Sequence, residues 1–356
     1  MMIGQSLILH ALGRKWRLGG VHDTPEKRSA YHSILRLFQD HPSAPLSIHS
    51  LVKQGNRRGR VTGEWYGPTS AAIAFRDAID HSDDPLFADF KVYVAQDCTI
   101  YLEDVISRCT GADDVQEALS LSSSSRRSSD SQRVPSDPDV FLLQPTPIFE
   151  DQGTEVPPQP SRARATTIKI PKLDHCSNIC LCKQYDTMVD RLESVPDEPW
   201  KSVLLLIPLR LGMMKPDPTY LSCVQRFLSL PYCAGIIGGR PSHSLYFVGY
   251  QGDNIIDLDP HFVQPALRLA ESSGEPSAEE ATCHSSYPRK IPYTKIDPSM
   301  CLGLYLKDKQ ALVDLLLDVR RGRGPGFSPN PSRFPLFNFS TGSVQDSLIS
   351  EEYIIL

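Results

Sequence analysis

An interruption limits what this chain can fold into more than any other feature. Between about Thr110 and Asp197 the sequence passes through "LSSSSRRSSDSQ", "PSDPDVFLLQPTP" and "VPPQPSRARATT", rich in Ser, Pro and charge and without sustained apolar periodicity. Such composition buries too little apolar surface to offset the entropy of ordering, so residues 110–197 read as a disordered Ser/Pro-rich insertion. Its serines near Arg126 and Arg127 read as solvated linker able to accept phosphate. Any core must be assembled from the blocks on either side. The chain therefore divides into an N-terminal block (1–109), the insertion (110–197), a sheet-rich block (198–322) and a flexible C-terminal tail (323–356).

The N-terminal block is mostly helical. "MMIGQSLILHALGRKW" has Ile3, Leu7 and Ala11 on one stripe, with Leu12 four residues after Ile8, and reads as an amphipathic helix. It has no N-cap residue before its first apolar position, so either its first turn frays or the element begins upstream. A second helix is expected around Ser29–Phe38, and a third over "LSIHSLVKQG" with Gly55 as C-cap. In "GEWYGPTSAAIAFRDAID", Gly67-Pro68 starts a helix over about Thr69–Ile79 and holds Trp65 on the preceding loop. "DFKVYVAQDCTIY" alternates β-branched and aromatic residues as a strand does.

The second block is richer in strands. "KSVLLLIPLRLG" is a near-continuous apolar run suited to a buried strand, and "PTYLSCVQRFLSL" follows as a helix. "CAGIIGGRPSHSLYFVGYQGDNIIDLDPH" reads as a strand, a Gly-rich loop, then a hairpin turning at Gly252. "SMCLGLYL" gives another strand and "DKQALVDLLLDVRR" a helix ending in basic residues that complement its dipole. The fold class is α+β.

Forty per cent hydrophobic residues in 356 suits a globular protein, and a net charge of -5 excludes a generally basic nucleic-acid binder. The nine cysteines follow no secretory signal, which points to a cytoplasmic protein. No apolar run reaches the roughly 18–20 residues that span a bilayer, so any membrane contact is peripheral.

The chemistry concentrates in "IIDLDPHFVQP". Asp259 and His261 sit where a strand ends, a place from which a carboxylate can orient an imidazole acting as general base. Gly235, Gly238 and Gly239 before Arg240-Pro241 let a loop pass close to a substrate backbone. No G-x-S-x-G elbow is present. Cys98 falls in an expected strand, Cys223 in mid-helix, and Cys233 lacks an activating neighbour, so no cysteine has the electropositive setting of a nucleophile. His175, Cys176, Cys180 and Cys182 lack zinc-knuckle spacing, and no metal or cofactor is expected.

Together, "GEWYGP", "YVAQDCTIY", "WKSVLLLIPLRLG", "GIIGGRPSHSLYFVGYQ" and "LDPHFVQP" closely resemble the autophagins, the autophagy-related cysteine proteases, and "HSLYFVGYQ" and "WKSV" look most like the D-type member of the C/D branch. The resemblance implies a papain-like α+β fold and a thiol protease that cleaves after the C-terminal Gly of a ubiquitin-like autophagy modifier, both processing the precursor and releasing the lipid-conjugated form. It implies that Asp259 orients and His261 is the base, that Trp65 covers the substrate tail, and that the loop of Gly239, Arg240, Pro241, Ser242 and His243 lifts to admit it. Tyr353 and Leu356 resemble a terminal motif that docks on the modifier as an added strand.

The family's nucleophile lies in a Gly-Trp-Gly-Cys-Met-Leu-Arg motif directly before a helix similar to "MMIGQSLILHALGRKW". In this register the cysteine falls about seven residues before Met1, at a helix N-terminus whose dipole lowers a thiol pKa. The expectation is therefore an N-terminally truncated, inactive chain; the alternative is a short form that binds the modifier without cutting it. The partners implied are that modifier and, peripherally, autophagic membranes, with no nucleic acid.

Overall fold

The apolar run after Trp200 is buried on both faces. In the computed structural model, which describes residues 2–111, 179–197, 199–263, 265–267, 269, 278–284, 287–320 and 335–346, it forms strand β3 (Ser202–Arg210). Val203, Leu205 and Ile207 join one apolar cluster, while Leu204 and Leu206 join another on the opposite side. Burying each such side chain stabilises the fold by about 1.5–3 kcal/mol. A strand with two covered faces has no alternation to display, which is why the run is continuous.

Among the described residues, the main sheet contains β1 (Phe90–Val94), β3, β4 (Cys233–Arg240), β5 (His243–Gln251), β6 (Asn254–Leu258), β7 (Arg289–Pro292) and β8 (Ser299–Leu306). Their spatial order is β1-β3-β8-β4-β5-β6-β7. β1 lies parallel to β3, and every other neighbouring pair is antiparallel. Helices cover both faces. α1 (Met2–Leu12), α2 (Pro25–Arg36), α3 (Ile48–Arg57) and α4 (Pro68–Asp80) pack on the Leu204 side through residues such as Leu7, Ile34, Leu51 and Phe75. α5 (Leu102–Thr110), α6 (Ile179–Glu193), α7 (Leu221–Leu228) and α8 (Lys309–Arg320) pack on the Leu205 side through Val105, Leu192, Phe227 and Leu312.

Local chemistry moves several expected boundaries. α2 starts earlier than Ser29 because Thr24 caps it, its side chain accepting from the Lys27 N–H at 3.4 Å with Pro25 in the first turn. Gly55 does not end α3. It lies inside that helix, where a Cβ would run into the Tyr66 hydroxyl, and the left-handed residue is Gly59 (φ 80°) beyond the helix end. In α1 the buried positions are Gly4 and Ile8, with Ala11 exposed, so the buried stripe is turned one residue from the expected one.

Three departures are larger. The strand over "DFKVYVAQDCTIY" is broken by a turn in which Asp97 (φ 47°) and Cys98 (φ 57°) are left-handed, so Cys98 is a turn residue and β2 (Thr99–Tyr101) follows it. The insertion does not extend to Asp197: α6 occupies its end, because Met188 and Leu192 at helical spacing fill the core beside α8. The tail beyond 322 is not without structure either. β9 (Asn338–Ser340) pairs in parallel with β2, and Leu336, Phe337 and Phe339 are buried against α5 and α6.

Candidate active site

Asp259 directly follows β6, and Pro260, lacking an N–H, takes the chain out of the sheet. The Asp-Pro-His spacing has a local cause. Asp259 Oδ1 accepts from the His261 backbone N–H at 3.0 Å, an Asx-type turn that folds residue 261 back onto the carboxylate. The same oxygen lies 2.7 Å from His261 Nδ1. With the proton held on Nδ1, Nε2 carries the lone pair, and a side chain 43 % exposed leaves it accessible.

The rest of the carboxylate's shell comes from neighbouring strands. Arg289 Nη1, at the start of β7, donates to Oδ2 at 2.8 Å, and His243 Nε2, at the start of β5, lies 3.2 Å from the same oxygen. Burial raises the Asp259 carboxyl, but hydrogen bonds from the His261 backbone and ring and from His243 outweigh it and hold the group well below the usual carboxylate range. Its side chain is only 5 % exposed. The His243 and His261 rings stack with centroids 3.9 Å apart and planes 24° apart. One register on, Asp257 pairs with Arg289 across β6 and β7. Burial and the nearby Asp259 charge push its carboxyl up against the counter-pull of Arg289.

His243, Asp259 and His261 are also the one group of metal-ligand side chains that the described residues bring together, with ligand atoms within 4.8 Å of one another. Arg289 already occupies Oδ2. The arrangement serves proton transfer better than metal ligation.

Gly239 and Arg240 are not in a loop but close β4, and Pro241 and Ser242 make a two-residue turn into β5. Glycine is required along this strand by packing. A Cβ on Gly238 would stand 2.6 Å from the Phe247 ring, and one on Gly239 would overlap the His243 carbonyl. Trp65, 61 % exposed, lies just before α4. No hydrogen bond or ring contact among the described residues joins it to Asp259 or His261. Tyr353 and Leu356, like His175 and Cys176, lie outside the described residues, as do the side chains of Cys180 and Cys182.

Sequence reasoning missed Arg289 and the second role of His243. The signal available was register: Tyr246 pairs with Leu258, which sets residue 243 opposite residue 261 across the hairpin.

Among the described residues no cysteine hydrogen bonds to His261. Burial raises every described thiol, pushing Cys233 up to about 11 and Cys109 up to about 12, with Cys98, Cys223, Cys283 and Cys301 shifted the same way. None is an activated thiolate.

Residues 1–317 match the family described as the peptidase C54 catalytic domain. The chain is 30% identical over 321 residues to the cysteine protease atg4da of Danio rerio, covering 90% of this chain and 47% of that protein. It is 29% identical over 326 residues to the cysteine protease ATG4D of Xenopus laevis (90% and 50%) and 27% identical over 334 residues to the human cysteine protease ATG4C (93% and 54%). The chain spans about half the length of these curated relatives. An α+β chain whose sheet presents an Asp-Pro-His carboxylate–imidazole pair, and which matches that domain over most of its length, belongs to the autophagins, the papain-like cysteine proteases of peptidase family C54, in their C/D branch.

Proposed function

We propose that this chain is the base-bearing part of a thiol endopeptidase that cleaves after the C-terminal Gly of a ubiquitin-like autophagy modifier, acting on both precursor and lipid-conjugated forms. The observation that carries the reading is the Asp259–His261 pair, with Nδ1 bonded to the carboxylate at 2.7 Å and no hydrogen bond to Nε2 among the described residues. His261 takes the thiol proton through Nε2, the thiolate attacks the Gly carbonyl, and the imidazolium returns the proton to the departing amine. Asp259 fixes the tautomer and stabilises the imidazolium without itself accepting the proton.

In this reading the attacking thiol comes from a segment preceding α1, not from the cysteines of this sequence, and the 356-residue chain alone does not cleave. Two observations support it. Every described thiol is raised by burial and none hydrogen bonds to His261, and α1 lies along β4 with its later residues at the strand's start: His10 Nε2 meets the Cys233 carbonyl at 3.0 Å, and Ser6 Oγ meets Tyr246 Oη at 3.3 Å. Followed toward its N-terminus, the helix runs toward the Arg240–His243 end of the sheet, where an upstream thiol would meet the helix dipole.

Trp65 and the Arg240–Ser242 turn would form the walls of a channel narrow enough to select glycine before the scissile bond, and the Tyr353–Leu356 tail would dock on the modifier as an added strand. Contact with membranes would be peripheral and the compartment cytoplasmic. Among the described residues no helix is long and apolar enough to cross a bilayer.

The test is cleavage of a modifier carrying a C-terminal extension. A protein extended upstream to include the family's cysteine should cut it, and His261→Ala in that protein should abolish cutting. The 356-residue chain should bind the modifier without cutting it, which is also what the short-form reading requires. Cleavage by the 356-residue chain that His261→Ala abolishes would contradict the upstream thiol.

A further inference from the structure

We propose that His243 is a positioning residue for the general base, holding the Asp259 carboxylate through Oδ2 and the His261 imidazole through ring stacking. The inference rests on the reading of His261 as that base. Two features of the site need an explanation that the pair alone does not give. A carboxylate bonded only through Oδ1 can rotate and exchange its oxygens, and an imidazole 43 % exposed on a loop can turn over. His243 restrains both. Its Nε2, 3.2 Å from Oδ2, joins Arg289 in fixing the carboxylate plane, and its ring covers one face of the His261 ring at 3.9 Å.

The backbone allows His243 little choice of place. Arg240 and His243 face each other across the Pro241–Ser242 turn, with Ser242 left-handed at φ 58°. The His243 carbonyl fills the space that a side chain at Gly239 would need. The close packing that makes glycine necessary in β4 thus also seats the ring that flanks the base.

The experiment reads the tautomer of the histidine rings from their nitrogen resonances by NMR in the 356-residue chain, with His243→Phe, which keeps a ring but no donor, and His243→Gln, which keeps a donor but no ring. The backbone amide spectrum of each variant checks that the fold is retained. In the unsubstituted chain His261 should populate the tautomer with Nε2 unprotonated. His243→Gln should admit the second tautomer, as the uncovered ring turns over, and His243→Phe should admit it to a smaller extent, as the carboxylate loses one of its Oδ2 partners. A His261 tautomer population unchanged in both folded variants would overturn the proposal. Because these signals require neither thiol nor substrate, the peptidase reading can fail while this result stands, and the reverse.

Discussion

Arg289 Nη1 lies 2.8 Å from Asp259 Oδ2 while Arg289 Nε lies 3.9 Å from Asp257 Oδ1, so one guanidinium serves two carboxylates on the same strand end. It also stands over the Phe262 ring, 5.8 Å from its centroid. Replacing it should loosen the strand end around the base. Arg289→Ala is expected to lower stability by about 1 kcal/mol at neutral pH, a modest loss because the guanidinium is half exposed and screened by solvent. Denaturant titration of the variant checks the value.

The two carboxylates should respond to pH with opposite signs. The Asp259 carboxyl is depressed in the fold, so its contribution is present above the ordinary carboxylate pKa and is lost as pH falls through its folded value. Asp259→Asn should therefore cost about 2 kcal/mol at pH 7, from weakened charge-assisted hydrogen bonds, with the difference shrinking in acid. Asp257 is raised, and its Oδ1 is buried with no hydrogen-bond partner among the described residues. Its contribution is present below the ordinary carboxylate pKa and lost as pH rises through its folded value. Asp257→Asn should thus match the unsubstituted chain in acid and exceed it by about 1 kcal/mol at pH 7. Stability curves of the two variants from pH 3 to pH 8 read both signs.

Gly239→Ala tests whether β4 is glycine-rich because of packing. The added methyl group overlaps the His243 carbonyl, a backbone atom that cannot yield without opening the hairpin. The expected loss is about 2–3 kcal/mol, in the range for overpacking a filled site. The His243–His261 stack should be perturbed with it. A thermal melt together with the histidine ring resonances checks both.

Much of this architecture is legible in the sequence, and the gaps have physical causes. The run Val203–Leu206 announces a strand buried on both sides because apolar residues occupy both of its faces. Gly252 marks the β5–β6 hairpin because its left-handed conformation, φ 54°, is what a tight turn needs. The Asp-Pro-His motif predicts its own geometry, since the carboxylate reaches the backbone two residues on. By contrast, Gly235, Gly238 and Gly239 suggest a loop, yet they are demanded by the rings of Tyr246 and Phe247 and by the hairpin backbone, which only the folded partner strand supplies. Helix α6 is hidden because it follows a polar, Pro-rich stretch, and its Met188 and Leu192 gain their meaning only against α8. Arg289 reaches the base from a strand 30 residues away, so no local pattern reveals it.

Removal of the C-terminal segment gives a further test, now of β9. Deleting residues from 335 onward uncovers the pockets of Leu336, Phe337 and Phe339 and leaves β2 without its partner. Stability should fall by at least about 3 kcal/mol, since burial of each large apolar side chain contributes about 1.5–3 kcal/mol. Deleting only from 347 onward, which removes Tyr353 and Leu356, should weaken binding of the modifier.

A general base at His261 whose thiol partner precedes α1 can be trapped with a ubiquitin-like autophagy modifier whose C-terminal Gly carries a thiol-reactive vinyl sulfone, followed by mass spectrometry to locate any adduct. An adduct should form on the upstream cysteine of an extended protein, slowed strongly by His261→Ala, and none on the 356-residue chain. A His261-dependent adduct on one of the cysteines within residues 1–356 would contradict the upstream thiol.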